Sequence, residues 1–155
     1  MADVRVEGAD NFGRLARELR RTKDKELRKA LYAGINRSVK PLTAAVKEAI
    51  PEFLPRRYAI ELGKSLRVRA RTRAGRNPSI YLVGKAKTKR GKERDLASLN
   101  RGRLRHPLYG DRRHWFNQPV PPNWWDDPLL QDAEMVRDQI EAVIEDVGRQ
   151  FLRKL

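Results

Sequence analysis

Leu66-Arg67-Val68-Arg69-Ala70-Arg71-Thr72-Arg73 alternates small or apolar residues with arginine through the whole stretch. A period of two belongs to a strand with one half-buried face. Ala74-Gly75-Arg76-Asn77-Pro78 has turn chemistry, and Ser79-Ile80-Tyr81-Leu82-Val83-Gly84 reads as the returning strand of a hairpin. This hairpin decides the fold class, because most of the remaining pattern runs at spacings of three and four. The chain is therefore expected to be α+β.

Upstream, Val4-Arg5-Val6-Glu7-Gly8 alternates and ends in glycine, so a short strand is expected there. Asp10 or Asn11 can cap a helix beginning at Phe12, with Phe12, Leu15, Ala16 and Leu19 on one face. After a break at Thr22-Lys23-Asp24, a longer stripe runs through Leu27, Leu31, Ile35, Val39, Leu42 and Val46. Pro41 removes one helical hydrogen bond and predicts a kink near 37–41, and Pro51 is expected to end the helix. Residues 51–63 read as a packed connector with one helical turn.

Downstream of the hairpin, Lys85 to Arg105 is polar and basic, and reads as a mobile loop with one short helix at Asp95–Leu99. Residues 106–128 hold all three tryptophans (Trp115, Trp124, Trp125) together with Pro119, Pro121, Pro122 and Pro128. Prolines stiffen the backbone and indoles supply contact area, so this segment is expected to be held against something. One continuous helix follows over 128–154, with Leu129, Val136, Ile140, Val143, Val147 and Phe151 along one side and Asp126 or Asp127 as cap. Together these give one domain over 1–155. Its parts are a strand and helices (1–63), a hairpin (64–84), a basic loop (85–105), a proline–aromatic segment (106–128) and the last helix. The architecture expected is a small antiparallel sheet packed with a long, kinked N-terminal helix and a long C-terminal helix.

The 155 residues carry a formal net charge of +15, unevenly placed. From Asp126 onward eight acids face four bases, a net of −4, which leaves +19 on residues 1–125. A field of that size draws polyanions or an acidic protein face. Cysteine is absent, which removes disulfides and thiolate metal sites. The first residues have no apolar run of the signal-peptide kind, and no stretch reaches the roughly 18 apolar residues of a membrane span, so a soluble, membrane-free protein is expected.

Catalytic patterns are missing. His106 and His114 stand eight apart without cysteine or helical i,i+4 spacing, which disfavours a metal site. Glu48, Glu52, Glu61 and Lys64 only loosely match the scattered acids and lysine of a metal-dependent nuclease. Ser38, Ser65, Ser79 and Ser98 lack a triad setting, and no GxGxxG or phosphate loop occurs, so neither an enzyme nor a cofactor is implied. The arginine row Arg67, Arg69, Arg71 and Arg73 has three open readings: a solvated outer face, an acidic subunit interface, or DNA backbone contact. A pore that DNA must traverse disfavours dense arginine, since each neutralised phosphate strengthens sticking.

Two segments carry a resemblance. Leu99-Asn100-Arg101-Gly102-Arg103-Leu104-Arg105-His106-Pro107-Leu108-Tyr109-Gly110 contains H-P-x-Y-G, and Trp115-Phe116-Asn117-Gln118-Pro119-Val120-Pro121-Pro122 contains W-x-x-Q-x-V-P-P. With the order of elements, these resemble the head–tail joining or tail-completion family of tailed phages. The resemblance implies a non-catalytic virion subunit, assembled in the host cytoplasm into a six-fold ring at the neck. Such a ring meets an adjacent connector ring and tail-tube proteins, and leaves a channel for DNA. Candidate interface residues are Arg67, Arg69, Arg71 and Arg73 on the strand, and Arg101, Arg103 and Arg105 beyond the loop. Trp115, Trp124 and Trp125 join them from the stiff segment, with Asp138, Glu141 and Glu145 on the acidic helix. Replacing Trp124 and Trp125 by alanine is then expected to harm assembly more than folding. A basic nucleic-acid-binding protein without catalytic activity is the alternative, and a small nuclease a distant third.

Overall fold

The computed structural model describes residues 3–6 and 9–155. β1 (Asp3–Val6), β2 (Arg67–Arg73) and β3 (Ser79–Lys85) form an antiparallel sheet in the order β1-β3-β2. The hairpin register sets Arg69 opposite Val83 and Arg71 opposite Tyr81. The α+β class expected from the alternation holds, with long helices on one side of the sheet. α1 (Asp10–Arg21), α2 (Lys25–Phe53) and α6 (Ala133–Arg153) supply most of the helical layer.

β3 lies between two partners, and its Ile80 and Leu82 face the helices in the core. Phe12 and Leu19 from α1, and Leu31, Ile35, Leu42 and Ile50 from α2, fill the layer above them. Val136, Ile140, Ile144 and Val147 of α6 close it along α2. Gly34 allows that approach, since a Cβ there would meet Val143 Cγ1 at 2.5 Å.

The helix boundaries differ from expectation in physically readable ways. α1 starts at Asp10 with Ala9 before it and no side-chain cap, so neither Asp10 nor Asn11 caps it. α2 continues through Pro41, whose ring lies on the exposed side. Pro51 sits inside the last turn instead of ending the helix, and the Leu54 N–H still donates to the Ile50 carbonyl at 3.0 Å. Proline removes a donor but leaves a helical φ, and the missing bonds fall on exposed positions. The connector expected over 51–63 is largely α3 (Arg56–Ser65), which buries Ala59 and Leu62.

The C-terminal helix is two helices, α5 (Asp126–Gln131) and α6, separated at Asp132. Aspartate is a poor interior helix residue, because its carboxylate competes for backbone donors. Trp125 occupies the α5 N-cap position, and neither Asp126 nor Asp127 caps it.

The basic loop with its one expected helix and the stiff proline–aromatic segment both carry regular backbone hydrogen bonding. After β3, Arg94 N–H donates to the Ala86 carbonyl at 3.0 Å, and Ser65 Oγ donates to the Lys87 carbonyl at 2.8 Å. α4 (Leu96–Asn100) follows, capped by Asp95, with Leu96 and Leu99 buried. A second hairpin, β4 (Arg103–Leu108) and β5 (Asp111–Pro119), then spans the end of the basic segment and the first part of the proline–aromatic one. Its turn is Tyr109-Gly110 at φ 48° and 80°, the left-handed geometry of a two-residue hairpin loop. Pro107 and Pro119 obscured it, because prolines argue against a central strand but are tolerated in a two-stranded ribbon.

The two ends of the helical layer are tied by Asp24. Its Oδ1 accepts the Leu27 N–H at 3.0 Å as the α2 N-cap, and its Oδ2 accepts Lys154 Nζ at 3.1 Å. The Leu27 N–H first, and Lys154 second, hold this carboxyl below the ordinary aspartate value. A depressed folded pKa gives stability that is present above the ordinary range and is lost as pH falls through the folded value. Asp24→Asn keeps a capping oxygen but cannot titrate. Denaturation midpoints measured from about pH 5 down to about pH 2 should fall less steeply for this variant than for the parent. Identical slopes would mean that the Asp24 contacts do not contribute.

Candidate functional site

The four arginines of β2 alternate outward while Val68 points into the core. All four are exposed, and among the described residues none closes an ion pair. Successive arginines on one strand face are about 6.6 Å apart, so the row spans about 20 Å. Repulsion of that kind costs a fraction of a kcal/mol per neighbouring pair, up to about 1.

On α6, Glu134, Asp138, Glu141 and Glu145 follow at spacings of four, three and four, and all are exposed. These spacings place them in one stripe about 16 Å long at 1.5 Å per residue. Asp138 has a contact with Arg137 at 3.4 Å, and among the described residues the three glutamates form no ion pair. Each surface is thus a ladder of one sign, and the two ladders have similar lengths.

The β4–β5 hairpin is the third feature. Leu104 anchors its base in the core, and no helix or other strand packs to any extent on β5. Beyond the anchor it projects as an arm. Register puts Arg103, Arg105 and Pro107 across from Pro119, Asn117 and Trp115. The Arg105 guanidinium lies 5.0 Å from the centre of the half-exposed Trp115 ring, a cation–π arrangement. On the other face His106 and Phe116 meet edge to face at 5.9 Å. Tyr109 at the tip is 99% exposed.

Trp115 is therefore an exposed residue, as expected of an interface, but Trp124 and Trp125 are not. Both are 0% exposed and pack edge to face at 5.9 Å. They are held in the core by α4, which lies where the short helix at Asp95–Leu99 is expected. Asn100 Oδ1 accepts the Trp125 N–H at 3.0 Å, its Nδ2 donates to Asp126 Oδ2 at 3.0 Å, and its carbonyl accepts the Asn123 N–H at 2.8 Å. Gly84 completes the seat: a Cβ there would lie 2.7 Å from the Trp125 ring. These two indoles offer no area to a partner in this conformation, and the expectation that they form an interface is corrected.

The histidines have local partners. His106 Nδ1 is 3.1 Å from the Pro107 carbonyl, and His114 Nδ1 is 3.0 Å from Asp111 Oδ2. Arg113 first, with His114 after it, holds the Asp111 carboxyl below the usual aspartate range. Glu61 pairs with Lys64 at 2.9 Å on α3, which likewise lowers its pKa, while Glu48 and Glu52 are exposed on α2. Among the described residues, no three histidine, aspartate or glutamate side chains gather as a metal site, and no helix is long and apolar enough to cross a membrane. Compared with known proteins, the chain matches no family model, no curated protein and no solved structure.

Proposed function

We propose that this chain is a ring-forming structural subunit of a tailed-phage head–tail junction, joining the tail to the DNA-filled head without catalysis. The observation that carries this reading is the segregation of unneutralised charge. An arginine ladder lies on one face of the sheet and a carboxylate ladder on α6, both exposed; among the described residues the four arginines and the three glutamates form no ion pair, and Asp138 meets only its neighbour Arg137 at 3.4 Å. Opposite surfaces on one subunit are what a head-to-tail contact between copies needs, and such contacts close into rings when the rotation per step permits. The two segments that resemble the tail-completion family form the arm and the turn that leads into the buried tryptophan pair. On this reading a six-fold ring, located in the virion, meets the adjacent connector ring and the tail tube. DNA runs through its channel with at most weak contact.

One observation favours the second reading, a non-catalytic nucleic-acid-binding protein: an exposed ribbon on which arginine stacks over tryptophan suits bases and phosphates. Electron micrographs of the purified protein, with duplex retention on a filter measured in parallel, separate the two. Rings of uniform diameter whose DNA retention is lost by about 0.15 M salt support the ring subunit. Single particles of monomer size that hold duplex at that salt would overturn it.

A further inference from the structure

Among the described residues the arm presents the largest grouping of exposed apolar side chains, and it is also strongly basic. Leu108, Tyr109, Trp115 and Phe116 are exposed on it, and Arg103, Arg105, Arg112 and Arg113 are interspersed among them. A two-stranded ribbon alone is marginally stable in water, so one that projects from a body invites a surface to lie on. The described structure holds one surface with the opposite chemistry, at the corner where α5 meets α6. Leu130 is 65% exposed there and Met135 45% exposed, and Asp127, Glu134 and Asp138 are exposed in the same few residues. The corner is apolar with acid around it, as the arm is apolar with base around it. The match is two-fold, in grease and in charge.

Within one copy the arm does not rest on this corner, since neither β4 nor β5 packs to any extent on α5 or α6. We propose that the β4–β5 arm of one copy seats on the α5–α6 corner of the next, with Tyr109 and Trp115 against Leu130 and Met135, and Arg103 and Arg105 against Glu134 and Asp138. The inference rests on the ring-subunit reading and names the contact that joins neighbours. Every copy keeps a free arm and a free corner, two different surfaces, so the contact propagates and can close. A rim of ion pairs around an aromatic centre also makes the association salt-sensitive.

The absence of cysteine allows a direct test. Tyr109→Cys and Leu130→Cys proteins are purified separately, mixed and oxidised, and covalent dimers are counted against each variant alone. In parallel, light scattering follows the wild type, Arg103→Glu/Arg105→Glu, and its equimolar mixture with Glu134→Arg/Asp138→Arg. Thermal melts show that each variant is folded, which is expected because the arm makes few contacts with the body. The expected results are dimers well above either single variant, association weakened at least about tenfold by the arm reversal, and recovery in the mixture. A wild type that assembles while the arm reversal leaves assembly unchanged and no cross-link forms would overturn the arm contact and leave the ring standing. A wild type that stays monomeric, with no cross-link between the two cysteine variants, would overturn both. Arm variants that lose only DNA retention would assign the arm to nucleic acid and also overturn the contact.

Discussion

Trp125→Ala is expected to cost about 3–5 kcal/mol of folding stability, the range for truncating a buried aromatic. A domain of this size typically has about 5–15 kcal/mol in hand, so the variant should be partly unfolded near body temperature. The ring of Trp125 is fully buried and lies directly on Gly84 of the central strand. Its removal opens a cavity that the fixed sheet backbone cannot collapse to fill. Trp125→Phe should be much milder, because the indole N–H has no acceptor among the described residues, and its loss removes that penalty of about 1–3 kcal/mol. Urea denaturation of the three proteins measures both effects. If Trp125→Ala unfolds at the parent midpoint but fails to assemble, the residue belongs to an interface and the burial described above is not that of the solution state.

The arginine ladder should behave in the opposite manner. Replacing Arg67, Arg69, Arg71 and Arg73 with glutamine removes like-charge repulsion across one strand face, so the monomer should melt at the same temperature or slightly higher. Association between copies should weaken by about 2–4 kcal/mol, if each arginine contributes about 0.5–1 kcal/mol to an acidic partner face. That corresponds to a dissociation constant raised about 30- to 1,000-fold. Sedimentation equilibrium at low salt reads association, and a thermal melt of the same samples reads stability. Unchanged association with lost DNA retention would move the ladder from protein contact to nucleic acid.

Where two levels of the sequence agree, the fold could be read. Alternation at 66–73 and the turn at 74–78 specify the same hairpin, and the register found places each arginine on the outer face. The stripes of α1, α2 and α6 likewise bury most of the residues their spacing selects, with Leu15, Val143 and Phe151 half-buried at the margin. The arm was hidden because Pro107 and Pro119 carry a signal against strands, and only Tyr109-Gly110 argued for a hairpin. The tryptophans were misplaced for a different reason. Their burial depends on Gly84 and Asn100, which lie 41 and 25 residues before Trp125 in the chain. No local pattern links those positions. The exposure of Arg67, Arg69, Arg71, Arg73, Asp138, Glu141 and Glu145 was legible, because charged side chains on a strand or helix seldom bury.

The claim on which the rest depends is that copies of this chain bind one another through surfaces of opposite charge. Sedimentation velocity of the wild-type protein, across protein concentration and from about 0.05 to about 0.5 M salt, tests it most directly. One discrete assembly that dissociates to monomer as salt rises is the expected result. A single monomeric boundary at every concentration and the lowest salt would contradict it.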